Sequence, residues 1–157
     1  MSNHTPNPTY RHGTDASRGG VDITISLTPA EAAALGHEAS MLADWFDSAL
    51  WALGILRTGR NHRAEDGPAV TSQTLYTVIN DLDHRLLPRI QGVRDAAIRQ
   101  HHELGGSIGE LALAMDVKKS TAQSRRNAVL DGRDRPSTWE RWATQGGPLN
   151  GQPSIED

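Results

Sequence analysis

The chain has 157 residues, 36% of them apolar and only 4% aromatic, and a formal charge of −3, which is material for one domain or one domain with a small appendage. It contains no cysteine, and that excludes disulfides, thiolate catalysis and cysteine-based zinc sites together. No apolar run reaches the roughly eighteen residues of a membrane span, and Met1-Ser2-Asn3-His4-Thr5-Pro6 has no signal-peptide stretch, so a cytoplasmic protein without membrane contact is expected.

Residues 1–20 are polar and hold Pro6, Pro8, Gly13, Gly19 and Gly20; a disordered tail is expected. Val21, Ile23, Ile25 and Leu27 then alternate with Asp22, Thr24 and Ser26. That pattern predicts a half-buried strand. Such a strand needs a partner, either its own copy in a dimer or a short stretch such as residues 68–71. Thr28, Pro29 and Glu31 form a capping box with proline in the first turn, which opens a helix. Leu35, Ala39, Leu42, Phe46, Ala49, Leu53 and Leu56 recur at alternating spacings of four and three. The spacing predicts one long helix packed on a near-parallel or antiparallel neighbour, with Trp45 and Trp51 flanking the seam.

Residues 57–70 are polar, with Gly59, Gly67 and Pro68, and read as a loop. Thr71 or Ser72 opens a second long helix, whose seam is Leu75, Ile79, Leu82 and Leu86, extended by Val93, Ala97 and Leu104. Pro88 must kink or break it, since proline lacks an N–H and clashes with the preceding turn. Gly105-Gly106 stops it. Residues 107–115 and 118–130 are predicted as two short helices. A last helical turn over 137–144 carries Trp139 and Trp142. From Gln145 the chain is rich in Gly, Pro and Asn, and a second disordered tail is expected over 145–157. The expected fold is mainly α. A strand and a long antiparallel helical hairpin, a candidate dimerisation region, occupy residues 21–104, and a helix-turn-helix occupies 105–144.

Charge is unevenly spread. Residues 21–84 carry three arginines against nine carboxylates, a net of −6, whereas residues 85–135 carry ten basic against six acidic groups, a net of +4. A local positive field can hold a polyanion on a mildly acidic protein. In the same region Ser107-Ile108-Gly109-Glu110 is a second capping box. Ile108, Leu111, Ala112 and Met115 form an apolar stripe, Asp116 stands at a sharp turn, and Val117 follows as a plug.

From Leu111 through Met115, Asp116, Val117, Lys118, Lys119 and Ser120 to Arg126, the segment resembles the helix-turn-helix of bacterial transcription regulators. Ala112 matches the small residue that lets the helices approach, and Met115 and Val117 match the apolar residues beside the turn. Asp116 replaces the usual glycine, and Arg125 stands where an apolar residue is usual. The resemblance implies sequence-specific binding of double-stranded DNA by a homodimer, with the second helix in the major groove. Lys118, Lys119, Ser120, Gln123, Ser124 and Asn127 would face the DNA; Arg125, Arg126 and Thr121 would hold phosphates.

Two other functions compete. The strand and capped helix also resemble the start of a ribbon-helix-helix repressor, in which Asp22, Thr24 and Ser26 would enter the groove. Alternatively the seams dock partner helices, making a non-enzymatic adaptor. No enzyme is expected: His37, His62, His84, His101 and His102 show no metal-ligand spacing, and Asp81-Leu82-Asp83-His84 reads as an ordinary surface helix. No catalytic residue, metal or cofactor is assigned.

Overall fold

In the computed structural model, which describes residues 7–131 and 136–145, the strand at Val21 finds its partner upstream. Strand β1 (Thr9–His12) pairs antiparallel with β2 (Val21–Thr24), Thr9 opposite Thr24 and His12 opposite Val21. A single 3-10 turn, Gly13–Asp15, begins the connection. The Asp22 carboxylate accepts hydrogen bonds from the Ser17 N–H at 2.9 Å and the Ser17 hydroxyl at 2.8 Å, and so pins the connection to β2. The disordered tail expected over residues 1–20 is therefore replaced by a strand and an ordered loop from Thr9 onward. Four residues are too few for alternation to be seen among prolines and glycines. The partners expected for β2, a second copy or residues 68–71, give way to β1; Ala69 bridges Arg60 instead. Beyond Thr24, the Asn7 amide takes over the pairing, donating to the Ser26 carbonyl at 2.9 Å and accepting from the Ser26 N–H at 3.0 Å. Of the tail expected over 145–157, Gln145 closes the helix before it, and residues 146–157 lie outside the described residues.

The chain divides into two compact units, residues 1–36 and 37–157. The first ends with α1 (Pro29–Leu35), which opens on the capping box between Thr28 and Glu31. Gly36, at φ 55° and ψ −138°, stops it, in a conformation open to glycine and costly for any residue with a Cβ. The single helix expected from Thr28 to Leu56 is thus interrupted.

The second unit begins with α2 (Glu38–Thr58), closed by Gly59 in the left-handed conformation. The following loop is tied back to α2: Arg63 makes two hydrogen bonds of 2.6 Å to Asp47, and the Trp51 indole N–H donates to Asn61 at 3.1 Å. Thr71 caps α3 (Ser72–Ile79). The chain then stays helical through a π turn, Asn80–Leu86, into α4 (Leu87–Glu103). The break or kink expected at Pro88 takes the form of a change of helical register. In the widened turn the Leu87 N–H reaches back to the Leu82 carbonyl, and the inserted residue makes room for the proline ring that follows.

Helices α2 and α3 run in opposite directions. Ser48 donates to Asp81 at 2.7 Å, and past the ends of the pair the Val70 N–H donates to the Gly59 carbonyl. Ala52, Ile55 and Val78 are buried together, with Trp51, Val70, Leu75 and Leu82 packed on them. The inward seam of α2 is therefore Trp45, Ser48, Ala52 and Ile55, the last two buried and the first two half-buried, one residue away from the seam expected at Phe46, Ala49, Leu53 and Leu56. Both have the same spacing. The hydrogen bond of Ser48 and the long reach of the tryptophans select between them.

A second core joins Ile98 of α4 to Leu111, Ala112, Ala122 and Val129, with Ile108, Met115 and Val117 at its edge. Among the described residues no helix is long and apolar enough to cross a membrane.

Candidate nucleic-acid interface

Two short helices build the candidate site, α5 (Ile108–Met115) and α6 (Lys119–Leu130). Ser107 and Glu110 cap the start of α5 reciprocally. Its end is closed at Asp116, which takes φ 50° and ψ 50°. The Val117 N–H bonds to the Ala112 carbonyl at 3.0 Å, and the Asp116 N–H to the Leu113 carbonyl at 3.2 Å. This pair of bonds is the helix stop that glycine usually makes. Asp tolerates the left-handed region better than most side chains, so Asp116 can make this turn without a glycine.

Ala112 and Ala122 are both buried where α5 and α6 share the core. Small side chains let the helix backbones approach. Ala112→Leu is expected to overpack this contact and cost roughly 1–3 kcal/mol. Thermal unfolding followed by circular dichroism measures the loss; an unchanged midpoint would mean that the contact lies elsewhere.

On α6 the buried residues are Ala122 and Val129. Ser120, Ser124 and Asn127 are exposed, and their spacing of four and three aligns them on one outward face. Gln123 joins them at the edge, its amide donating to the Asn127 side chain at 2.7 Å. Thr121 is exposed on a flank. Lys118 occupies the cap position without a side-chain cap bond, and Lys119 follows; both are exposed, and they are the only lysines in the sequence. The two arginines sit differently. Arg125 is half-buried, and Arg126 donates to the Gly106 carbonyl at 3.4 Å, which ties α6 to the connection before α5.

The lysines break a local rule. A helix start favours a side-chain acceptor and negative charge. Two ammonium groups there weaken the helix and add to the positive end of its dipole.

Behind this face stands a clamp that sequence reasoning missed. Arg99 of α4 donates through Nε to Glu140 Oε1 at 2.9 Å and through Nη2 to the Val129 carbonyl at 2.8 Å. Glu140 belongs to α7 (Thr138–Thr144) and is only 1% exposed. Burial pushes its carboxyl up, but the hydrogen bonds from Arg99 and from Ser137 outweigh that and hold it below the usual range. Arg89 is buried among Trp45, Trp139 and Trp142, whose ring centroids lie 4.4, 4.6 and 5.6 Å from its guanidinium carbon. A Cβ on Gly92 would fall 2.6 Å from the Trp139 backbone oxygen, so α4 and α7 meet only because that position is glycine. The one legible signal was Ser137 with Glu140, a third capping box. Nothing in the seam spacing singled out Arg89 or Gly92.

No protein-family model matches the chain, and neither does any curated protein or solved structure.

Proposed function

We propose that α5 and α6 form a helix-turn-helix, and that the chain is a sequence-specific double-stranded DNA-binding protein acting as a homodimeric transcription regulator. In this reading α2 with α3 and α4 is the long helical hairpin behind the DNA-binding region. One observation carries it: Lys118 and Lys119 stand at the uncapped start of α6, beside a row of uncharged polar side chains, Ser120, Ser124 and Asn127 exposed and Gln123 half-buried at their edge. Lysines at one end suit phosphates or guanine, and amides and hydroxyls suit base edges. Local rules of helix stability are broken there, as they are at functional sites. Arg125 and Thr121 flank the row and suit phosphates; Arg126 serves as a tether as well. The ribbon-helix-helix alternative has less support. Its strands pair between copies, whereas β2 pairs with β1 of the same chain and Asp22 is engaged by Ser17.

A salt titration on duplexes selected from random sequence, and on scrambled controls, tests the proposal. Affinity is expected to fall linearly in log salt, with a slope of about −0.9 per phosphate contact. Gln123→Ala is expected to leave that slope nearly unchanged and to relax preference at one base pair by about 1–3 kcal/mol. Wild-type protein that binds neither duplex at about 50 mM salt would falsify the assignment.

A further inference from the structure

Among the described residues of the second unit, the apolar row that the sequence offers on α2 is left largely unpacked. Phe46, Leu53 and Leu56 are 46%, 46% and 69% exposed, with Leu42 and Ala49 half-buried between them. Each of these residues follows by one position a member of the inward row, in which Ala52 and Ile55 are buried and Met41, Trp45 and Ser48 half-buried. The same holds on the facing helix. Leu75, Val78 and Leu82 pack against α2, and Tyr76 and Ile79, one residue on, are 65% and 62% exposed.

A step of one residue turns a helix face by about 100°, clockwise when seen from the helix start. Helices α2 and α3 face each other and run in opposite directions, so the two turns carry both free rows to the same side of the pair. In a square four-helix bundle each helix meets two neighbours about 90° apart. Each of these helices packs on the other along one seam and carries a second seam at nearly that angle.

We infer that this side of the α2–α3 pair is the interface with a second copy of the chain, two pairs closing into a four-helix bundle. The inference deepens the homodimer part of the proposed function and does not need its DNA-binding part. Size supports it. Aromatic side chains offer roughly 150–250 Å² each and aliphatic ones somewhat less; with Phe46, Leu53, Leu56, Tyr76 and Ile79 between 46% and 69% exposed, the rows amount to on the order of 600 Å² per copy. A standard interface takes about 800 Å² a side with its polar rim. Composition points to a like partner. From Ala39 through Leu42, Phe46, Ala49 and Leu53 to Leu56 the α2 row holds no charge, so it offers no pattern to select a different protein, and a two-fold axis buries both rows of both copies at once. A shallow hollow lined by Tyr76, Ile79, Asn80, Asp83 and His84 opens beside the α3 row and suits an apolar side chain of the partner.

Light scattering at tens of micromolar is expected to give twice the 17.1 kDa of the chain, and Leu53→Glu to give the single-chain mass with helicity retained. The sequence has no cysteine, which makes a second measurement clean. Maleimide labelling of Phe46→Cys is expected to slow several-fold as concentration rises through dimerisation, while labelling of Asp44→Cys, on the opposite flank of α2, keeps its rate. If Leu53→Glu fails to fold, the labelling decides. A single-chain mass for wild type overturns the inference, and so does a dimer in which Phe46→Cys labels at a constant rate. A dimer of this geometry that binds no DNA leaves the inference standing and removes the DNA-binding reading.

Discussion

Glu140→Ala is expected to destabilise the second unit by roughly 3 kcal/mol, the low end of the cost of removing one partner from a buried ion pair. The variant leaves the Arg99 guanidinium in a largely buried place, 17% exposed at the side chain, with only the Val129 carbonyl to accept from it. It also removes half of the capping box that starts α7. Both losses fall on the contact between α4 and α7, so the last helix should detach early in unfolding. Glu140→Gln is the informative companion: the amide oxygen still accepts from Arg99, so about half the loss is expected. Urea unfolding followed by far-UV circular dichroism gives the free energies, and tryptophan fluorescence in a Trp45→Phe, Trp51→Phe background, compared with and without Glu140→Ala, reports α7 through Trp139 and Trp142. Equal stability of wild type and Glu140→Ala would show that the pair does not hold α7 in place.

Replacing Lys118 and Lys119 together by alanine is expected to weaken duplex binding on the order of 50-fold at about 0.1 M salt, because one phosphate contact is worth nearly tenfold there relative to 1 M. The loss should be the same on selected and scrambled sequences if both lysines hold phosphates. The salt slope should become shallower by about two units, one for each lysine. Alanine is also a better companion to a helix start than lysine, so the variant should melt at or slightly above the wild-type midpoint. A gain in stability beside a loss of affinity separates a binding role from a structural one. Unchanged affinity would move the contact surface away from the start of α6.

How much of this was legible in the sequence depended on the range of the interactions. The capping boxes at Thr28 and Ser107, the cap at Thr71 and the turn at Asp116 are local, closed within a few residues, and each stands where the pattern placed it. The seam of α2 was legible in period but not in phase, because two rows with one spacing lie side by side and only contacts distant in sequence choose between them. Strand β1 was hidden for a related reason: four residues gain their conformation from Val21–Thr24 rather than from their own pattern. In the candidate site, the residues of α6 were readable from the motif, but the separation of roles was not. Arg125 and Arg126 are adjacent, alike in charge and both half-buried, yet it is Arg126 that is bonded to the Gly106 carbonyl. The clamp of Arg99 with Glu140 joins residues 41 positions apart, beyond the reach of any helical periodicity.

The π turn before Pro88 also fixes an angle. One inserted residue in a helix offsets everything after it by about 100° around the axis. Here the turn falls between α3, which packs on α2, and α4, which carries α6 and α7 through Ile98, Gly92 and Arg99. The clocking of the basic face of α6 against the free apolar side of α2 and α3 is thus set by a single residue of chain length. Deleting that residue would turn one half against the other by more than a quarter of a revolution, and so part Arg89 from Trp45 and close the room made for the Pro88 ring.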